Sequence, residues 1–388
     1  MSQPSRSTSR PLEGIRVLDL SRLLPGPFAS MVLADLGASV DKVEDPKGGD
    51  YLRVMPPQAP DGMNTIFHGL NRGKRSLVLD LKRPEGRDAL LRMLPRYDVV
   101  LESFRPGVLA RLGLGYEAMH AANPGLVICA ITGYGQDGPL VDRAGHDLNY
   151  LARAGVLGFT GPSDGPPQPP GMQVADVGGG LYGLVGVLAA LYERTRTGRG
   201  AVVDVAMAEA AATFAIFGFG TRAGGMDLGR GGDVLCGGIA PYGTYATKDG
   251  GAVALAALEP KFWLAFCAGV GIPGDMQALV PGPHQAGLKE KLRGIFRERT
   301  RDEWTAFNTE HDCCLEPVLT PQEALDDPHA MHRGVTVREG GVTRLATPAG
   351  RPAEGPAPKQ GEQSRAILEE AGFSAEEIEA LKKAGATR

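Results

Sequence analysis

Cysteine is scarce in this chain and poorly arranged for cross-linking. Five occur, Cys129, Cys236, Cys267, Cys313 and Cys314. The number is odd, two are adjacent, and no CxxC forms, which excludes a disulfide frame or a cysteine zinc site and points to a reducing compartment. The seven histidines include no HExxH and no H-x-x-x-H, so a histidine metal centre is not indicated. Excess positive charge is also missing: 41 Lys and Arg face 45 Asp and Glu, a net charge of −4. A nucleic-acid footprint is therefore not expected, and any anionic ligand must be met by local clusters. The polar start "MSQPSRSTSR" lacks the apolar core of a signal peptide. "LYGLVGVLAALY" (181–192) is too short to span a bilayer and reads as a core helix. The expectation is a cytoplasmic protein with no membrane and no nucleic-acid partner.

What the chain does have is alternation. "IRVLDLS" (15–21) reads as a strand, "FASMVLADLG" (28–37) as a helix and "SVDKVE" (39–44) as a strand again. Strand "SLVLDL" (76–81), a helix opened by Pro84, strand "DVVL" (98–101), a helix over "GVLARLG" and strand "LVICAITGYG" (126–135) follow. Proline at a first helical position and short β-rich runs between helices predict an α/β fold with a mostly parallel sheet covered on both faces. Ligands of such sheets sit at the carboxyl ends of the strands. A long apolar helix is predicted over 176–195. From about residue 222 the texture changes to a glycine-rich loop and a hairpin around Asp249-Gly250-Gly251, with helices near 261–269, 287–297 and 302–309. The boundaries expected are 1–210 for a large domain, 225–325 for a smaller mixed one, and 326–388 for a return to the first. Residues 346–362 read as a surface crossing, and Ser374 with Glu377 forms a capping box for a last helix.

Several stretches carry chemistry. "GLGYEA" (113–118) formally fits G-x-G-x-x-A, but it follows a helix instead of a strand, so dinucleotide binding is not indicated. "LNRGKRS" (70–76) and "ESFRPGVLARLG" (102–113) are basic. They are either solvated loops or a phosphate site in which Arg72, Lys74, Arg75, Arg105 and Arg111 neutralise the phosphates of a carrier such as coenzyme A. His146, in "AGHDLNY", stands at a predicted helix start, to pack or to move a proton. Asp176, in "VADVGGG", opens the apolar helix: it is an N-cap, or a carboxylate that the helix dipole and free N–H groups hold ionised. The glycines behind it would let a ligand approach the backbone. Glu259, in "LAALEPKFW", is either a cap or an acid that orients a histidine.

With their flanks, these residues resemble the family III CoA-transferase superfamily, in its α-methylacyl-CoA racemase branch. The resemblance runs from "PLEGIRVLDLSRLLPGPFASMVLADLGASVDKVE" through "NRGKRSLVLDLKRPEGRDAL", "ITGYGQDGP", "AGHDLNY", "VADVGGG" and "LEPKFW" to "CLEPVLTPQEALDDPH". It implies a Rossmann-like large domain formed by both termini, a smaller domain between them, and an interlocked homodimer. It also implies an acyl-CoA substrate, with no cofactor required beyond the CoA moiety. The residues then expected along the ligand are Arg22, Leu70, Asn71, Arg72, Lys74, Arg75, Phe104, Arg105, Arg111 and Tyr150. An apolar acyl pocket would draw on Met172, Phe217, Phe219 and Leu235.

The same resemblance implies the chemistry. In the racemases the aspartate at Asp176 works as acid and base opposite the histidine of "GHD", with the glutamate of "EP" hydrogen-bonded to that histidine; this chain has His146, Asp176 and Glu259. The backbone N–H of Asp147 is the expected donor to the enolate oxygen. In the transferases the same aspartate is a nucleophile that takes the acyl group from CoA. The expected activity is thus epimerisation at C2 of 2-methylacyl-CoA thioesters, with CoA transfer through Asp176 as the alternative and a non-catalytic acyl-CoA-binding protein as a third. Residues 49–73 and the C-terminal tail resemble the transferases more than the compact racemases.

Overall fold

The computed structural model describes residues 10–388 except 228 and 340. Two units divide the chain. The first comprises the residues up to Arg153, Met172–Thr213 and Pro328–Arg388; the second comprises Ala154–Gly171 and Phe214–Asp327.

The first unit is organised by six short strands rich in Val, Ile and Leu: β1 (Arg16–Asp19), β2 (Ser39–Glu44), β3 (Arg75–Val78), β4 (Val99–Glu102), β5 (Val127–Thr132) and β6 (Val202–Ala206). All pair in parallel in the order β3-β2-β1-β4-β5-β6. The inner strands are buried on both faces, the usual condition of a parallel sheet, so they read as apolar runs without alternation. This is the Rossmann strand order, and its direction reverses between β1 and β4. The carboxyl ends of those two strands therefore part to leave a crevice. The chain there reads Leu20-Ser21-Arg22-Leu23 after β1 and Ser103-Phe104-Arg105 after β4.

Helix α1 (Pro25–Asp35) is opened by proline and buried nearly all round, as an inner helix should be. Helix α2 (Asp147–Arg153) follows the loop after β5, and α3 (Val174–Thr197) precedes β6. Helix α3 packs on α1, β5 and β6 through its glycines. A Cβ on Gly180 would meet the Pro25 carbonyl oxygen at 2.6 Å, and one on Gly179 the Met207 side chain at 2.6 Å. These two glycines are there for close packing of helices and sheet, which corrects the expectation that they admit a ligand. By length and composition alone α3 is apolar enough to cross a membrane, with half of its most apolar window buried. It is longer than the 181–192 run because the small residues from Val174 to Gly180 and the polar turn from Glu193 to Thr197 join the same helix.

The C-terminal segment of this unit closes the core. Ile367, Leu368, Ile378 and Leu381 are buried with Leu77 and Leu90. Ser374 and Glu377 form the predicted capping box, with the Ser374 N–H donating to Glu377 at 2.7 Å.

The second unit is smaller and mixed. Its sheet, β7 (Tyr242–Ala246), β8 (Ala252–Ala256) and β9 (Leu315–Pro317), is antiparallel, and Gly250 takes φ +80 in the hairpin turn, a conformation glycine adopts without strain. Helix α4 (Pro260–Val270), with those over Gln285–Phe296 and Arg301–His311, covers it. The core is aromatic: Tyr245 stacks on Phe296 at 4.6 Å, and the buried Trp304 indole donates to the Phe296 carbonyl at 2.9 Å. Segment 154–171 belongs to this unit and not to the 1–210 stretch. Phe159 packs edge-on against Phe219 at 5.3 Å, and Arg230 donates to the Pro162 carbonyl. Composition hid this, because the segment is rich in Gly and Pro and has only one short helical turn of its own.

Candidate active site

The crevice opens into a cavity of about 470 Å³. Arg22 and Leu23 line it from the loop after β1, and Ser103, Phe104 and Arg105 from the loop after β4. Tyr134, Arg143, His146, Asn149 and Tyr150 line it from the segment after β5, and Asp176 from α3.

His146 stands just before α2. Its carbonyl accepts from the Asn149 and Tyr150 N–H groups at 2.8 and 3.2 Å, and its own N–H donates to the Asn149 side chain at 3.0 Å. The backbone of His146 is thereby occupied in starting the helix, and the exposed imidazole is left to the cavity. Tyr150 braces the turn: its ring lies against Gly133 and Gly145, its hydroxyl donates to the Gly145 carbonyl at 2.5 Å, and it meets Tyr134 edge-on at 5.2 Å.

Asp147 does something the sequence did not suggest. Its carboxylate accepts from the Ala175 and Asp176 N–H groups at 2.7 and 3.1 Å. Those are two of the donors that a helix leaves open at its first turn, so Asp147 caps α3 and fastens it to the start of α2. Because Asp147 and His146 are consecutive, this bond holds His146 and Asp176 in one place. The cap also reverses an expectation about Asp176. Its N–H groups are not free, and burial followed by the charge of Asp147 raises the carboxyl to about 6, with His146 pulling the other way. A carboxyl near 6 is poised to give and take a proton at neutral pH.

Glu259 belongs to the second unit. It occupies the N-cap position of α4, but its exposed side chain accepts no capping hydrogen bond. Of the four residues expected to do chemistry, His146, Asp147 and Asp176 are brought together within the first unit.

The basic residues divide. Arg22 is at the cavity, held over the Tyr51 ring at 5.4 Å, and Arg105 lines the cavity from an exposed position. Arg72, Lys74 and Arg75, expected as phosphate ligands, are engaged by partners within the fold. Buried Arg72 binds Asp35 at 2.5 Å and the Gly69 carbonyl. Lys74 is fully enclosed, donating to Ser30, Asn71 and the Pro27 carbonyl and pairing with Asp19 at 3.3 Å. Arg75 binds both oxygens of Asp41 and also Glu370. The neighbouring Leu70 and Asn71 are core residues too, and Arg111 lies outside the cavity lining, as do Met172, Phe217, Phe219 and Leu235. For Arg72, Lys74 and Arg75 the reason is the carboxylates of other elements, which a linear reading does not align with the cations.

Sequence reading missed three features. Arg143 lines the cavity and was not singled out. Leu23 takes φ +63, a left-handed conformation that is strained for a residue other than glycine. Its N–H is held by the fully buried Asp50 at 3.2 Å, and Asp50 pairs with buried Lys42 at 3.0 Å. Beneath the crevice, burial pushes Asp19 up, but Lys42, Lys74, Ser21 and Ser30 outweigh it and hold the carboxyl at about 2. Glu102, buried at the end of β4, accepts from the Phe104 N–H at 2.7 Å and the Tyr116 hydroxyl at 2.5 Å. Burial pushes it up to about 7 despite those bonds, and Asp204 adds to the rise. A buried Asp or Glu beside a run such as "VLDLS" or "VVLES" is the one sequence signal that could have found these groups.

Comparison with known proteins finds one family and relatives of two kinds. The family described as CoA-transferase family III matches residues 12–363. The human protein named alpha-methylacyl-CoA racemase is 40% identical over 383 residues, covering 95% of each chain. A succinate–glutarate CoA-transferase of Agrobacterium fabrum is 35% identical, covering 93% of this chain and 95% of its own. Among solved structures, a CAIB/BAIF family protein from Brucella suis superposes with a TM-score of 0.82 at 33% identity, over 93% of this chain and 99% of that one.

Proposed function

We propose that this chain, which belongs to CoA-transferase family III, inverts the configuration at C2 of 2-methylacyl-CoA thioesters by moving a proton. What carries the reading is one juxtaposition: His146 and Asp176 line the same cavity, tied by the Asp147 cap, with Asp176 raised to about 6.

The α-proton of a thioester is weakly acidic, and its loss puts charge on the thioester oxygen. Inversion needs one base to take the proton from one face of the planar enolate and an acid to return one to the other. A neutral imidazole and a carboxylate suit those two places, each contributing roughly 10²–10⁴-fold. With its carboxyl at about 6, Asp176 is mostly ionised at pH 7 and still protonates readily once a proton arrives. The developing oxyanion needs a donor. The Asp147 N–H, at the first position of α2, has no helical partner by position, and one such donor is worth roughly 3–4 kcal/mol. Glu259 orients the imidazole and stabilises its charged form; that role rests on the family resemblance. The phosphates of CoA are met by Arg22 and Arg105 at the crevice, and Phe104 and Tyr150 line the way to the thioester. The step uses protein groups and the CoA moiety alone.

An interlocked homodimer belongs to the same proposal, supported by the exposed Leu181, Tyr182, Val185 and Tyr192 of α3, an apolar stripe of the kind that marks an interface. Cytoplasmic residence is proposed from the free cysteines.

The 35% identical transferase keeps a second reading alive. In it, Asp176 attacks the thioester carbonyl, expels the CoA thiolate and holds the acyl group as a mixed anhydride. One experiment separates the two. A single enantiomer of a 2-methylacyl-CoA is incubated in D₂O without an acceptor acid, and mass and chirality at C2 are followed. Deuterium uptake with loss of optical purity is expected. No uptake over a panel of branched thioesters, with acyl transfer to added carboxylates, overturns the racemase reading.

A further inference from the structure

We propose that the acyl group carried by the natural thioester ends in a carboxylate, bound by Arg143 and Arg153. The inference deepens the racemase reading and rests on it for the identity of the reacting carbon.

The cavity does not stop at His146. A groove of about 530 Å³ continues from it, lined by Tyr134, Arg143, Ala144, Asn149, Ala152 and Arg153, of which the first four are shared with the cavity. Its position follows from helical geometry. Residues 146, 149, 150 and 153 are spaced i, i+3, i+4, i+7, so Arg153 lies on the same face of α2 as His146. The distance along the axis is about 10 Å at 1.5 Å per residue. Arg143 enters the groove from the loop before the helix.

No carboxylate lines this groove. Both guanidinium groups are exposed, and neither forms an ion pair or side-chain hydrogen bond among the described residues. The contrast with Arg72 and Arg75, each bound to a carboxylate of the fold, is direct. Arg153 would also suit the carboxyl end of α2 as a helix-dipole partner, but that does not account for Arg143, which is outside the helix.

The CoA phosphates do not need these groups. The switch-point crevice, where the loops after β1 and β4 bring Arg22 and Arg105, is the place a parallel sheet offers them. Arg143 follows β5, one strand further on, and the His146–Asp176 pair lines the same cavity. What reaches the groove is therefore the acyl end. A guanidinium recognises a carboxylate by paired, charge-assisted hydrogen bonds, and the spacing from His146 fits a short chain. The substrate class is a 2-methyl-branched dicarboxylic acid joined to CoA at its branched end.

The test uses the full-length protein and two thioesters of one length: 2-methylglutaryl-CoA linked at the branched end, and its analogue with an isopropyl group replacing the free carboxylate. Deuterium exchange at C2 gives kcat/KM, and calorimetry gives Kd independently of any chemistry. The wild type should favour the carboxylate by about tenfold or more. Arg143→Met and Arg153→Met should each reduce that preference several-fold, together abolishing it, while the isopropyl thioester is handled as before. Equal or isopropyl-favouring Kd values in the wild type overturn the proposal. So does an equal loss for both thioesters in the variants, which would assign the arginines to the CoA moiety. Preferential, arginine-dependent binding without exchange would sustain the groove and sink the racemase reading instead.

Discussion

Six cations near the crevice fall into two groups. Lys42, Arg72 and Lys74 are enclosed, each paired with a carboxylate of the first unit. Arg22, Arg105 and Arg143 line the cavity, and none of the three is paired with a carboxylate among the described residues. Apart from Lys42, which lies within β2, both groups come from short polar stretches beside strands and helices, and by composition they are alike. The difference lies in what the neighbouring elements bring. Asp19, Asp35 and Asp50 are themselves fully or nearly buried, and an acid so placed requires a partner. The cavity wall has arginines, and Asp176 is the one carboxylate among its lining residues.

The largest expected effect is on the chemistry. His146→Ala and Asp176→Asn should each lower the rate of inversion at C2 by roughly 10²–10⁴-fold with little change in Tm, as read by deuterium exchange and thermal unfolding. If His146→Ala left exchange intact, the cavity would lose its role as the reacting site. The transferase reading predicts a different pattern, with the acyl half-reaction surviving the loss of His146.

The two groups of cations should separate next. Lys74→Met leaves the buried Asp19 with Lys42 alone and should cost about 3–5 kcal/mol, the usual penalty for removing one partner of a buried pair; denaturant unfolding measures it. Arg105→Met should leave stability within about 0.5 kcal/mol and raise KM for every CoA thioester. An unchanged Tm in Lys74→Met together with a raised KM would return that lysine to the phosphate site.

Glycine offers the same distinction on a smaller scale. Gly180→Ala would press a methyl group toward the Pro25 carbonyl, where the gap is 2.6 Å. Overpacking of this kind costs about 1–3 kcal/mol, read as a lower unfolding midpoint with KM unchanged. A raised KM at unchanged stability would restore the glycine to ligand approach.

Much of this was legible in the sequence. Strands β1 to β5 and the capped C-terminal helix lie where period and turn chemistry put them, because each depends on neighbours within a few residues. The strand predicted over 126–135 ends at Thr132, and Gly135 beyond it takes φ +91, outside strand geometry. His146, Asp147 and Asp176 could be named because they sit in recognisable stretches at helix starts. What could not be read was pairing at long range. Arg72 finds its acid 37 residues away and Arg75 finds one 295 residues away. The cap from Asp147 to Asp176 spans 29 residues. Segment 154–171 joined the second unit through one aromatic contact and a few hydrogen bonds, none of which has a local signature.

The smallest predicted effect probes that cap. Asp147→Asn keeps an oxygen to accept from the Ala175 and Asp176 N–H groups but removes the charge that helps hold Asp176 at about 6. The sign follows from the cause. A neighbouring negative charge disfavours ionisation of Asp176, so its removal lowers that carboxyl toward the ordinary range. Activity that depends on the ionised form is lost as pH falls through this value, so the acid limb of the kcat/KM profile should move to lower pH. Burial, the larger cause, is untouched, which limits the shift. At pH 7 the rate should change little. A weaker base would slow abstraction by Asp176 slightly, a larger ionised fraction would offset this, and the Asp147 N–H proposed as the oxyanion donor is kept. If the acid limb stays where it is, Asp147 is only a cap. If it moves to higher pH, the charge on Asp147 is not what Asp176 feels, and the coupling between the two helices must be sought in geometry alone.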